Sequence, residues 1–422
     1  MWLGRKYLLY IFVSSWHKLW TLVKLHIFNP ENDLALADGN TNYCPPPAAR
    51  AIAHDLATLP LWFAPEGDAV LLPGTLHFGF YNAMNGIFAL AAPFAGGDVR
   101  AVDACVPWGW SAQMRRRLLA MGVDEGVLPD GAFIDAVRML SNRRTAIGLL
   151  RALRSAGVDT PEIPEYFTTF TDIAAFIESM PRSVLKAPWS GSGKGIAWGI
   201  GRVEVPVEHF CKGVIRRQGG VVCERFLDKV VDFAMEFWAL QGEVAFMGYS
   251  LFTCEGGAYS GNILASDGAV EDFLAQFVER EALQVVKKHL AMELAALLRP
   301  IGYTGCLGVD MLVYRSSGGE CRLHPCVELN LRMNMGAVSH LFYDKYVAHG
   351  CVGRFFVSNF RRAGEAAAFN ERCKAEYPLR VSDGRVSGGY LNLSPVTDDT
   401  SYVAYALVCE EPVPLYELYG CR

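Results

Sequence analysis

Val327-Glu328-Leu329-Asn330-Leu331-Arg332 decides how this chain is read. Side chains of a strand alternate between its faces, so Glu328, Asn330 and Arg332 share one face while Val327, Leu329 and Leu331 turn to a core. A carboxylate and an amide oxygen two residues apart are oxygen donors suited to a hard cation such as Mg²⁺. An arginine next on that face can neutralise a phosphate or a substrate anion. By itself such alternation is commonly no more than the half-exposed face of a sheet.

Upstream, Gly308-Val309-Asp310-Met311-Leu312-Val313 places one acid in an apolar strand. A buried carboxylate is costly without a cation or hydrogen bonds. Paired strands carrying Asp310 on one and Glu328 with Asn330 on the other make a three-oxygen magnesium site open to phosphates. Further upstream, the strand Val184-Leu185-Lys186 runs into a loop holding Gly191, Ser192, Gly193, Lys194 and Gly195. This is not a Walker A loop, because Pro188 stands at its first glycine and Gly195 replaces the hydroxyl residue that would hold magnesium. Its backbone N–H groups can still bind phosphate oxygens, although an ordinary solvent loop has the same composition. Cys223-Glu224-Arg225-Phe226-Leu227 ends a later strand, where backbone groups and apolar side chains could receive a flat ring.

With 422 residues, 51% hydrophobic and 20% charged, the chain can build two or three cores. Its net charge of −5 has no long basic block, which argues against a nucleic-acid surface. Twelve cysteines scattered through apolar runs read as reduced thiols rather than a disulfide scaffold. The cluster Cys321, His324 and Cys326 lacks the fourth ligand of a closed zinc site. Residues 1–24 read as an N-terminal extension, with a membrane-surface helix as the alternative. Tyr7–Val13 is too short to span a bilayer and no later segment reads as transmembrane, so a cytoplasmic protein is expected.

Strands alternating with helical stretches over 25–135 predict a parallel α/β domain. Its strands include Leu25–Phe28, Ala69–Leu72 and Val99–Val102. The turn Asn29–Asp33 lies at a strand's carboxyl end, where ligands of such sheets bind; helix capping is the plain alternative. Residues 111–155 read as helical and 271–298 as one long helix. The expected units are 1–24, 25–135, a central lobe at 136–222, a second lobe at 223–355 and a β-rich extension at 356–422.

In this order the pieces resemble the ATP-grasp superfamily, which includes D-alanine–D-alanine ligase, biotin carboxylase and glutathione synthetase. The resemblance runs from about Asn142 to Asn334. It takes in the approach from Leu149 through Gly157 to Pro161, Lys186 with the glycine loop, Glu224 to Leu227, and Gly302 to Asp310 with Glu328 and Asn330. It implies a pre-ATP-grasp-like domain followed by two ATP-grasp α+β lobes. It further implies that Lys186 holds ATP phosphates and that Ser192, Gly193 and Lys194 close over them. Glu224 would accept from the adenine amino group, Arg225, Phe226 and Leu227 would line the ring, and Asp232 would reach the ribose. Asp310, Glu328 and Asn330 would bind Mg²⁺, which Mn²⁺ can replace, and Arg332 would steady an acyl phosphate.

Two departures stand out. Arg143 occupies the place of the family's phosphate-binding lysine, a swap that is not neutral. Leu331 to Gly336 lacks the Pro-Gly turn of D-alanine ligases. The activity implied is ATP-dependent joining of a small carboxylate to an amine or thiol, with no membrane or nucleic-acid partner; a homodimer is compatible with it. A kinase or carboxylase on the same fold, or an ATP-binding regulator, are the alternatives. Residues 258–262 and Asn32-Asp33 are candidate substrate contacts.

Overall fold

The computed structural model describes residues 23–94, 99–191, 195–255, 258–411 and 413–420. The expected N-terminal extension falls outside these up to residue 22, as do Ser192, Gly193 and Lys194 of the glycine loop.

The first unit is a parallel sheet of β1 (Lys24–Ile27), β2 (Ala69–Val70), β3 (Ala92–Pro93) and β4 (Ala104–Pro107), ordered β3-β2-β1-β4. Leu25, Ile27, Ala69 and Cys105 bury together with Met114 and Leu118 of the helix Ala112–Ala120. The strand expected at 99–102 is instead a 3-10 turn, Val99–Ala101. Pairing starts later because Asp103 and Val23 bond each other twice, through Asp103 N–H to the Val23 carbonyl (2.9 Å) and Val23 N–H to Asp103 Oδ2 (2.7 Å). The helical stretch expected at 111–155 is divided by its caps. Ser111 and Asp130 accept from Met114 and Phe133 N–H, opening Ala112–Ala120 and Gly131–Leu140. Asn142 accepts from Arg144 N–H (2.9 Å) where Arg144–Ser155 begins.

The second unit is an antiparallel sheet, β5 (Glu165–Phe167), β6 (Ser183–Lys186), β7 (Ile196–Gly199) and β8 (Val221–Arg225), ordered β5-β8-β6-β7. Helices Phe170–Glu178 and Val205–Gln218 cover it through Ile173, Ile177, Cys211 and Val214.

The third is a nine-stranded sheet formed by β9 (Asp228–Leu240), β10 (Glu243–Glu255), β11 (Ala258–Leu264), β12 (Gly305–Arg315), β13 (Cys321–Asn330), β14 (Gly353–Asn359), β15 (Arg380–Ser382), β16 (Arg385–Asn392) and β17 (Tyr402–Val408). Its order is β13-β12-β9-β10-β11-β14-β17-β16-β15. Phe233, Met235 and Phe237 of β9 and Val309, Met311 and Val313 of β12 bury one face, against Leu283, Val286, Leu290 and Leu294 of the helix Arg280–Leu298. Each such side chain contributes roughly 1.5–3 kcal/mol by leaving water. The other face offers Ala234, Glu236 and Asp310, since Ala234 pairs with Asp310 and Glu236 with Gly308.

The long helix expected over 271–298 is two helices, Asp267–Leu274 and Arg280–Leu298. The chain turns between them so that Phe277 and Val278 can pack on the core. The expected unit boundaries at 222/223 and 355/356 fall inside β8 and β14, and β14 to β17 continue the sheet that carries Asp310.

Candidate active site

Asp310 stands directly opposite Glu328 across β12 and β13, and Gly308 opposite Asn330. Leu329 and Leu331, 4% and 2% exposed, anchor the alternation that turns Glu328 and Asn330 to the cleft. β13 ends at Asn330, so Arg332 lies beyond the strand rather than on its face. It rejoins its neighbour through a bond from its Nη2 to Asn330 Oδ1 (2.9 Å). The Asp310 carboxyl is raised above the usual carboxylate range, by burial first and by Glu328 second. A divalent cation between the two acids would relieve both effects, and two carboxylates with an amide oxygen are a donor set that suits Mg²⁺. Among the described residues no three of His, Cys, Asp and Glu gather as a metal site, the Cys321, His324 and Cys326 cluster included.

Arg143 and Arg332 act on these acids, and Lys186 stands on the neighbouring sheet. Arg143 is 5% exposed and donates from Nη1 to the Ala187 carbonyl (2.7 Å) and Ser190 Oγ (2.5 Å). Its Nη2 donates to Glu328 Oε2 (2.8 Å), so it ties the loop stem to the strand pair. Arg332 grips Asp33 through Nε and Nη2, both at 2.6 Å. Burial works against its charge, but Asp33, Glu328 and Asp310 more than offset that and hold it protonated. Lys186, at the end of β6 and 7% exposed, forms an ion pair with Glu224 of β8. Its charge, after burial, also helps drive the His324 imidazole down to about 3.

Glu224 meets Lys186, whereas Arg225 pairs with Glu162 (3.0 Å) on the exposed rim. Arg182 lies 3.5 Å over the Phe226 ring, and Leu227 is partly exposed. Asp232 is 9% exposed and pairs with Lys229. Burial raises its carboxyl, with Lys229 opposing. Of the candidate substrate contacts, Asn262 is 1% exposed and bonded to Ser250 Oγ (2.6 Å) and Tyr259.

The loop that would close over phosphates is fastened at its stem. Ala187 N–H donates to the Gly195 carbonyl (2.8 Å). Trp189 and Gln218 exchange two hydrogen bonds, at 2.9 and 3.1 Å. Asp33, Ser141, Trp189, Ser190, Glu328 and Asn330 are among the residues lining a cleft between this stem and the strand pair.

Glu236 escaped the sequence reading. It is 1% exposed, accepts from Asn334 Nδ2 (2.7 Å), and its carboxyl is pushed up to about 8, chiefly by burial. The signal that picked out Asp310, a single acid among apolar strand residues, was also there in Met235-Glu236-Phe237.

No protein-family model matches the chain, and no curated protein does. Among solved structures, the chain is similar to an N5-carboxyaminoimidazole synthetase from Staphylococcus aureus complexed with ADP. That match has 12% identity and a TM-score of 0.48, and covers 94% of this chain and 95% of that one. It is also similar to a biotin carboxylase ATP-analogue complex from Campylobacter jejuni, at 11% identity and a TM-score of 0.49, covering 92% and 88%. An L-amino acid ligase from Bacillus licheniformis matches at 14% identity and a TM-score of 0.45, covering 94% and 96%.

Proposed function

We propose that the chain is an ATP-grasp enzyme that joins a small carboxylate to an amine, releasing ADP and phosphate through an acyl phosphate. The observation that carries this is the pairing of Asp310 with Glu328 across two strands, with Asn330, Arg143 and Arg332 beside them and Lys186 paired to Glu224 on the neighbouring sheet. Bound Mg²⁺ would neutralise the charge that spreads over phosphate oxygens during transfer.

The chain's own residues position and neutralise. Asp310, Glu328 and Asn330 would hold the metal. Arg143, set between the loop stem and Glu328, can turn its fork to a phosphate once Glu328 is engaged. Lys186 brings a point charge from the neighbouring sheet. Glu224 to Leu227, with Asp232, would take the nucleoside end, and Ser192, Gly193 and Lys194 its phosphates. Arg332 then lies at the developing acyl phosphate, and no protein nucleophile is needed. The cysteines fit a cytoplasmic setting: none described is in a disulfide. No described helix is long and apolar enough to cross a membrane.

Titration of the purified protein with MgATP tests the reading. Wild type should bind, and Glu328→Ala should lose the binding. Release of ADP should appear only when both a carboxylate and an amine from an amino-acid panel are supplied. A folded wild type that takes up no ATP sinks the proposal, while ADP release with the carboxylate alone would make the protein a kinase instead.

A further inference from the structure

Arg332 has five N–H groups to give, and four are already committed inside the protein. Nε and Nη2 hold the two oxygens of Asp33, Nη2 also reaches Asn330 Oδ1, and Nη1 reaches the Met333 carbonyl (3.1 Å). Asp33 acts most strongly on this guanidinium, and Glu236, Glu328 and Asp310 act on it as well. The last two are the acids assigned to the metal, so the partner Arg332 chooses determines whether that site stays open. Asp33 takes the fork, with Asp33 and Arg332 side chains 22% and 16% exposed.

Asp33 reaches Arg332 on a firmly held piece of the first domain. It lies in the opening turn of the short helix after β1, whose approach is fixed by Asn29 donating to the Gly109 carbonyl (2.9 Å). Trp108 N–H donates to the Ile27 carbonyl (2.7 Å), and the Trp108 carbonyl accepts from Met333 N–H (2.9 Å). The backbone next to Arg332 is therefore stitched to the strand neighbouring β1. On the loop side, a Cβ on Gly191 would fall 2.3 Å from Asp33 Oδ2, so the stem closes directly on this carboxylate.

We propose that Asp33 is the positioning residue for Arg332: it holds the guanidinium away from Asp310 and Glu328 so that a divalent cation can reach them. The inference rests on the metal role given above to those two acids. Without Asp33, the carboxylates of Glu328 and Asp310 still draw on Arg332, and arginine becomes a competitor of the cation.

Mn²⁺ uptake in the presence of ADP, followed by electron paramagnetic resonance, gives the test, because it needs no substrate and no turnover. Asp33→Ala should weaken Mn²⁺ binding about tenfold, a change of about 1.4 kcal/mol. Asp33→Asn, which keeps the size but loses the charge, should fall between, and serves if the alanine variant does not fold. The deciding measurement is the same pair of substitutions in an Arg332→Gln background, where the loss should shrink below twofold. A merely structural role, or simple removal of one negative charge, would cost the same in both backgrounds and overturn the proposal, as would unchanged affinity in Asp33→Ala. Failure of wild type to take up Mn²⁺ with ADP is a separate outcome. It would overturn the metal assignment itself, and this inference with it.

Discussion

Asp310 and Glu328 meet because two long strands pair, with a register shift just past Asp310, whereas Arg143, Lys186 and Arg332 arrive from a helix start, the end of a short strand and a strand exit. Each cation carries an acid of its own: Glu328, Glu224 and Asp33 respectively. The acids are fixed by the backbone of two paired strands, Asp310 on β12 within the sheet and Glu328 on the edge strand β13, and moving one means shifting a strand. The cations are long side chains that can exchange partners by rotating. The site is thus a strand-fixed anionic pair with long cationic side chains beside it and on the neighbouring sheet.

Breaking the rigid half should have the largest effect. Glu328→Ala removes a proposed metal ligand and strands Arg143, and MgATP binding should fall more than a hundredfold by calorimetry, in line with loss of a buried pair at about 3–5 kcal/mol. Lys186→Ala removes a cation that has its own counter-ion. It should weaken ATP binding about tenfold to a hundredfold, the worth of one or two charged hydrogen bonds. If the lysine change proved the more damaging, the division between frame and movable charges would be wrong.

The frame can also be strained directly. A Cβ at Gly336 would lie 2.3 Å from Ser250 Oγ and 2.5 Å from Glu236. Gly336→Ala should cost about 1–3 kcal/mol in urea unfolding, read as a lower midpoint at unchanged slope. Glu236 sharpens the comparison through pH. Its carboxyl is raised from 4.5 to about 8, so between those values the folded protein holds a proton that the unfolded chain has released. Stability from this group is full at low pH and lost as pH rises through that window. Glu236→Gln should flatten the decline. The smallest effect belongs to Arg225→Ala on the exposed rim, where the ion pair with Glu162 should be worth about 1 kcal/mol or less in stability.

What the sequence made legible follows the same division. Glu328, Asn330 and Asp310 were readable because strand alternation is a local rule, and the parallel first sheet was readable from its spaced apolar runs. The Asp33–Arg332 contact joins residues 299 positions apart, and no local pattern carries such a pairing. Arg332 was placed on the strand face because nothing in Leu331-Arg332-Met333 marks where pairing stops. The strand ends at Asn330, after which Met333 N–H bonds the Trp108 carbonyl of the first domain. The break after Leu274 was hidden for a related reason. No Gly or Pro marks it, and the pull of the core on Phe277 and Val278 decides it.

The Trp108–Met333 bond is one of several threads running from the first domain. Thr58 and Trp62 side chains both donate to the Leu393 carbonyl, at 3.0 and 2.9 Å, and Asp55 accepts from the N–H groups of Ser401 and Tyr402. For protein engineering this means that the opening hundred residues cannot be traded as a cassette. A chimera built by recombining at residue 135 would have to supply side-chain donors for the Leu393 carbonyl, an acid for the Ser401 and Tyr402 N–H groups and a carbonyl for Met333 N–H, or lose the alignment of parts it never touched.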